Sequence, residues 1–193
     1  MPMIRETVVT TIDTAGAVHI APFGLIEEGE LWVIAPFRPS RSLDNLQQVP
    51  SAVVNYVDDV RIFAGCLTGR KNWPVTPLDK FAVPRLAAAL AHAELAVERI
   101  EDHPERPRFL CRVQKIEQHA PFLGLNRAKA AVLELSILVS RLNFLPREKL
   151  EREIEYLKIA IDKTAGPQEQ EAWGWLMQRV SDFYAGTPAA SQV

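Results

Sequence analysis

A chain of 193 residues with 48% hydrophobic and 24% charged residues holds enough apolar material for one domain with an appendage or for two small domains, in a globular rather than a disordered or fibrous balance. The formal net charge of -2 gives no bulk electrostatic case for nucleic acid or an anionic membrane. No apolar leader opens MPMIRETVV, no stretch reaches the roughly 18 to 20 apolar residues of a membrane span, and Cys66 and Cys111 lack a CxxC companion, so the default is a cytoplasmic chain without a disulfide scaffold or zinc site.

Residues 6–13 (ETVVTTID) are rich in β-branched side chains, and residues 17–26 (AVHIAPFGLI) follow after a Thr-Ala-Gly turn, so the chain opens on a β-hairpin. The charged, Gly-bearing EEGE then turns it into a third strand, residues 31–37 (LWVIAPF). Three strands joined by tight turns favour antiparallel pairing. Ala21-Pro22-Phe23 and Ala35-Pro36-Phe37 place a proline twice in the same setting. Proline has no N–H, so pairing should lapse at both sites, either to meet a flat polar ligand or to bend strands into a barrel.

Next comes Arg38-Pro39-Ser40-Arg41-Ser42, and then a helical pattern over residues 42–48. Unpaired N–H groups and the positive end of the macrodipole at a helix start favour an oxyanion. Ser40 and Ser42 can donate hydroxyls to phosphate oxygens, and Arg38 or Arg41 can grip a phosphate as a planar fork. A Ser N-cap on an ordinary surface helix with solvated arginines has the same pattern, and this stretch alone leaves both readings open.

Pro50 stops that helix, residues 52–57 (AVVNYV) form a fourth strand, and Asp58-Asp59 precedes a short apolar segment over residues 60–67. Residues 69–77 read as a loop in which Trp73 is a lid on the core or a platform for a ring. Residues 83–91 are ambiguous between helix and strand. From Glu94 the chain alternates, and Phe109, Cys111 and Val113 continue the alternation beyond the polar DHPERP turn, giving a second long hairpin. The total is six strands, enough for a small closed barrel, with Cys66 and Cys111 as core residues.

Residues 126–142, 146–164 and 168–184 carry three helical patterns. Leu150, Ile154, Leu157 and Ile161 form a packing stripe in the second, and Trp173, Met177, Val180 and Tyr184 in the third, with Gly166-Pro167 as the stop between them. Charges over residues 148–155 alternate in sign and make no basic recognition face. Residues 187–193 read as a flexible polar tail. His19, His92, His103 and His119 are scattered, with His103 in a solvated turn. No acid–base pair, nucleophile triad, metal-ligand spacing or GxGxxG stands out.

Six strands with a Ser/Arg loop after the third resemble the FMN-binding split barrels, the superfamily of flavin reductase-like and pyridoxamine-phosphate-oxidase-like proteins. RETVVTT with the following APFGL, then APFRPSRSLDNL, then LNRAKAAVLELSIL with its trailing helices are similar to the marks of one flavoprotein family within it. Asn126-Arg127-Ala128 is the segment that distinguishes that family. The resemblance implies a mainly β fold: a six-stranded antiparallel split β-barrel over residues 1–122 as the FMN-binding domain, and a C-terminal three-helix extension over residues 123–186.

It also implies an intertwined homodimer with FMN in each of two clefts at the subunit interface. Arg38, Ser40, Arg41, Ser42 and Asn45 would hold the phosphate. Backbone at Ala21, Pro22, Phe23 and Gly24, and at Ala35, Pro36 and Phe37, would flank the isoalloxazine ring. Asn126 and Arg127 are carried over as contributors near the cleft, the alternative being a helix cap and an inter-helix salt bridge. His19 departs from the small polar residue expected before APFGL. The implied activity is that of an FMN-dependent, flavin reductase-like oxidoreductase using NAD(P)H, with its substrate unassigned and a setting in pterin-linked one-carbon metabolism. The alternatives are a non-catalytic FMN-binding or carrier protein, or the same barrel holding a deazaflavin or haem.

Overall fold

The computed structural model describes residues 2–186, and the polar tail expected over residues 187–193 lies outside them. The chain divides into two compact units, one formed by residues up to 57 with 72–122, the other by residues 58–71 with those from 123 onward.

In the first unit, β1 (Ile4–Ile12), β2 (Val18–Glu28), β3 (Leu31–Ile34), β4 (Ser51–Val57), β7 (Ala89–Glu101) and β8 (Arg108–Gln118) close into a barrel in the order β1-β2-β3-β8-β7-β4. Every pairing is antiparallel, and β4 closes the ring on β1 with Val54 opposite Val9. These are the six strands read from the sequence. The first turn forms because the Asp13 carboxylate accepts from the backbone N–H groups of Ala15 and Ala17, both at 2.9 Å, while Gly16 takes a φ of 82° that other residues resist. Side chains alternate across each strand. Val9, Leu25, Ile34, Val54, Leu95 and Phe109, one from each barrel strand, form a single buried cluster that Leu43 and Leu46 of α1 (Arg41–Gln48) complete. Register shifts in β7 between Glu94 and Leu95 and between Val97 and Arg99 bend the long hairpin, as closure of a small barrel demands.

Pairing lapses at both Ala-Pro-Phe sites as expected, on one side only at the first, while the end of β3 and an extra sheet differ from the sequence reading. Pro22 stays within β2, in register with Val8 of β1. The β3 partner begins only at Ile26, so residues 21–25 pair with β1 alone. β3 itself ends at Ile34, which leaves Ala35-Pro36-Phe37 beyond the ladder. The other difference is an additional two-stranded sheet, β5 (Val75–Leu78) with β6 (Phe81–Leu86), where a loop and an ambiguous segment were expected. Pro77 and Pro84 mask its strand pattern, and its turn puts Lys80 rather than a glycine at a φ of 60°. β6 is fastened to the barrel by hydrogen bonds: the Thr10 hydroxyl donates to the Pro84 carbonyl at 2.6 Å, and the Leu86 N–H donates to Asn55 Oδ1 at 2.7 Å.

The second unit is helical: α2 (Arg61–Leu67), α3 (Arg127–Val139), α4 (Arg147–Thr164) and α5 (Pro167–Tyr184). Residues 123–186 hold the three helices expected there, α2 from earlier in the chain joins them as a fourth, and with α1 the described residues hold five helices rather than three. α2 belongs to this unit because Val60 and Ala64 pack into the same buried cluster as Leu135, Leu150 and Leu176. The α4 stripe is as expected, with Leu150 and Ile161 buried and Ile154 and Leu157 against them. In α5 the deepest positions are Ala172, Leu176 and Val180, with Trp173, Met177 and Tyr184 beside them. No helix among the described residues is long and apolar enough to cross a membrane.

Candidate functional site

β3 delivers the chain from the core to the surface: Ala35 and Pro36 are buried, while Phe37 is 63% exposed. The Arg38–Pro39 peptide is cis. Ser40 takes an extended conformation and caps α1, its Oγ accepting from the Leu43 N–H at 3.3 Å. The helix is amphipathic, and sinking Leu43 and Leu46 into the barrel cluster carries Ser42 and Asn45 into buried positions. Asn45 Nδ2 donates to the Thr11 hydroxyl at 3.0 Å, which tethers the helix to β1.

The phosphate candidates thus separate by task. Ser40 and Asn45 hold the helix start in place. Arg38 is turned toward the β7–β8 turn, where Nη2 meets Asp102 Oδ1 at 2.7 Å, Nε donates to the His103 carbonyl at 3.3 Å and the backbone N–H donates to the Glu105 carbonyl at 2.8 Å. Arg41 and Ser42 are left with side chains that make no hydrogen bond or ion pair among the described residues. Arg41 occupies the first helical position, where a cation meets the positive end of the helix dipole, an unfavourable placement that Asp44 of the same turn offsets only in part.

The same turn contributes a residue the sequence reading missed. Arg106 donates from Nε to the Ala35 carbonyl at 2.8 Å, and its guanidinium carbon lies 4.8 Å from the centre of the Phe37 ring. A single arginine in a Pro-rich turn gives no sequence signal for this, because about seventy residues separate the partners.

A second cluster, also missed, lies on β7 and beyond β8. His92, fully buried, has its Nδ1 2.8 Å from His119 Nε2. The ring planes differ by 6° with centres 5.0 Å apart, so the two imidazoles meet edge to edge in one plane through an N–H···N bond rather than face to face. His92 Nε2 lies 3.5 Å from Oε1 of the buried Glu94. His119 is itself exposed, and partial desolvation holds it below the ordinary histidine range, with Arg85 and His92 adding to the effect and Glu117 opposing it. The signal available in the sequence was the two-residue spacing of His92 and Glu94, which puts both on one face of a strand; the pairing with His119 depends on the hairpin register.

Of the ring-flanking candidates, Ala21, Pro22, Phe23 and Gly24 lie on the singly paired stretch of β2, and the Phe23 carbonyl accepts from the Thr7 hydroxyl at 3.1 Å. Gly24 has a packing reason of its own, since a Cβ there would meet Ile4 Cγ2 at 2.8 Å. His19 stands opposite Thr11 in β2. In the helical unit, Asn126 is the N-cap of α3, accepting from the N–H groups of Ala128 and Lys129 and donating to the Thr164 carbonyl at 3.0 Å. Arg127 is exposed. Trp73 is half-buried, with no hydrogen-bond partner for its buried Nε1. Cys66 and Cys111 are both buried, which pushes each thiol up to about 12. No group of three or more metal-ligating side chains occurs among the described residues.

A family model described as "Protein of unknown function (DUF447) N-terminal domain" matches residues 5–120, and one described as "Protein of unknown function (DUF447)" matches residues 126–178. Among solved structures, an FMN-bound protein of Methanosarcina mazei from the same family superposes with a TM-score of 0.80 at 20% identity, covering 93% of this chain and 96% of that one. The 2-nitrobenzoate 2-nitroreductase of Pseudomonas fluorescens reaches a TM-score of 0.52 at 22% identity, covering 62% of this chain and 66% of that one. A Shewanella frigidimarina protein with a split-barrel domain reaches 0.52 at 12% identity, over 59% and 66%. These likenesses show the split-barrel fold. No curated protein matches the chain.

Proposed function

The chain belongs to the DUF447 family, and from that membership and the geometry of residues 35–46 we propose that it is a flavoprotein that binds FMN and acts as a flavin reductase-like oxidoreductase. The observation that carries the proposal is the Arg41 guanidinium, which has no partner among the described residues, at the first position of α1 and next to Ser42, whose hydroxyl makes no hydrogen bond among them. A cation at that end of a helix is disfavoured, and a phosphate there would meet both its charge and a hydroxyl free to donate. The M. mazei family member, which is FMN-bound, supports the same reading.

Bound FMN would supply the hydride or electron transfer; the chain supplies binding, orientation and exclusion of water. Arg41 and Ser42 would hold the phosphate with the N–H groups of the first turn. The Ser40 cap and the Asn45–Thr11 tether fix the direction in which those N–H groups point. The singly paired backbone at Ala21, Pro22, Phe23 and Gly24, with Pro36 and Phe37, would flank the ring. Phe37, Ile100 and Ile116 of the barrel unit, 63%, 49% and 58% exposed, are apolar surface that a second copy of the chain would cover, in keeping with a homodimer. A link to pterin-dependent one-carbon metabolism rests on the family resemblance alone.

The test is reconstitution. The protein incubated with FMN and desalted should retain one flavin per chain, seen in its visible absorption and quenched fluorescence. A protein that stays colourless overturns the proposal. Anaerobic addition of NADH or NADPH should then bleach the bound flavin. Flavin that is held but not reduced would assign the chain to the binding or carrier class instead. Sedimentation at micromolar concentration should show a dimer.

A further inference from the structure

We propose that Arg106, on the β7–β8 turn, is a second phosphate-gripping residue of this site, held in place by Phe37 and the Ala35 carbonyl. The inference rests on the FMN reading above and assigns that site a residue from the other side of the barrel sequence.

An exposed arginine normally samples many rotamers, and most of its usefulness to an anion is lost in ordering it. Arg106 is already ordered. Its Nε donates to the Ala35 carbonyl at 2.8 Å, and its guanidinium lies over the Phe37 ring at 4.8 Å. Both contacts use Nε and the face of the group. The two terminal nitrogens make no hydrogen bond and no carboxylate pairs with them among the described residues. They are the part of a guanidinium that meets phosphate as a two-toothed fork.

The turn that carries Arg106 is itself built to hold it there. Asp102 Oδ1 accepts from the His103 N–H at 3.0 Å and from Arg38 Nη2 at 2.7 Å. His103 Nδ1 accepts from the N–H groups of Glu105 and Arg106 at 3.3 and 3.1 Å. The Arg38 N–H bonds the Glu105 carbonyl at 2.8 Å. The turn and the segment 35–38 are therefore laced together from both sides. Arg38, the arginine that the sequence pattern offers first, is a positioning residue whose charge is met by Asp102. The arginine left with open donors is Arg106. Phe37 serves this arrangement too, as the aromatic platform on which the Arg106 guanidinium lies.

The anion is an organic phosphate, which two reactants of the proposed function carry: FMN itself and the reduced nicotinamide dinucleotide. Arg106→Ala removes the guanidinium, and Arg106→Lys keeps a charge while removing the fork and the Ala35 bond. For each variant the affinities for FMN and for riboflavin, which lacks the phosphate, are measured by fluorescence quenching. The dinucleotide concentration that half-saturates anaerobic reduction of the bound flavin is measured alongside. If the phosphate is that of FMN, Arg106→Ala should lower the FMN-to-riboflavin affinity ratio by about tenfold or more, with Lys restoring part of it. If it belongs to the dinucleotide, the ratio should hold while the half-saturating concentration rises by a similar factor. The inference is overturned if neither quantity moves by more than about twofold, or if FMN and riboflavin weaken equally, which is the mark of a merely structural arginine. Wild-type protein that binds no flavin would instead sink the function proposed above, a result distinguishable from either.

Discussion

Replacing Arg41 with Ala should move stability and ligand affinity in opposite directions. In the free protein the guanidinium is exposed, has no ionic partner among the described residues and sits at the first position of an eight-residue helix. Its removal relieves an unfavourable meeting with the helix dipole, worth about 0.3–0.5 kcal/mol at an exposed site. With FMN present the same change deletes a charge-assisted hydrogen bond to phosphate, worth about 1.5–3 kcal/mol, or roughly a 10- to 150-fold rise in Kd. Urea unfolding without flavin should therefore show a midpoint equal to or slightly above wild type. At a fixed, saturating excess of FMN the stabilisation that the flavin adds should be smaller in the variant by the same ~1.5–3 kcal/mol that a direct titration gives, because a ligand stabilises only as far as it binds. A solvated surface arginine would leave the FMN affinity unchanged. Arg41 as part of the folding core would make the flavin-free protein less stable by more than about 1 kcal/mol. Either result refutes the reasoning.

Other consequences can be measured independently. Asn55→Ala strips the acceptor from the buried Leu86 N–H and the donor from the Val8 and Val53 carbonyls; it should cost about 2–4 kcal/mol, seen as a lower urea midpoint at unchanged slope. His119, though exposed, is held below the ordinary histidine range, chiefly by partial desolvation, so the unfolded chain binds its proton more readily. The stability tied to it is complete above the unfolded value of about 6.5 and is lost as pH falls toward the lower folded value. His119→Gln should flatten urea stability between about pH 7 and pH 5, and a wild-type slope retained in the variant would exclude His119 as its source. Cys66 and Cys111, with thiols pushed up to about 12 by burial, should resist aromatic disulfide reagents at neutral pH in the native state and react once denaturant is added; rapid native labelling of either would contradict its burial.

Much of the barrel was legible because its strands are half-buried and alternate, and because Gly16 and Gly29 mark the first two turns by the positive φ they adopt. The α1 start was legible in kind, since Ser40 caps it as the pattern suggests. What the residues did there was less so. Arg38 and Arg41 are equivalent in sequence, yet one meets Asp102 sixty-four positions away and the other meets no partner among the described residues. Arg106 and the His92–His119 pair were illegible because both depend on long-range strand pairing: Arg106 meets Ala35 only through the pairing of β3 with β8, and the histidines meet through the register of the β7–β8 hairpin, whose bulges no local pattern encodes. The β5–β6 sheet was hidden by prolines and by a non-glycine turn residue.

The return of the chain to the barrel after α2 has a practical corollary. The two bodies are threaded through each other in sequence rather than strung one after the other, since residues 58–71 leave the barrel to join helices that are made only after residue 122. A ribosome that has finished β8 has produced every barrel strand, while Val60 and Ala64 still await Leu135, Leu150 and Leu176, the neighbours that bury them. Truncation at the apparent boundary would leave that condition permanent: a fragment with a complete barrel and a greasy helix that has lost its company, expected to be captured by chaperones or to aggregate. The helices are thus no detachable cassette, and a separable barrel would have to be made by replacing residues 58–71 with a short polar bridge.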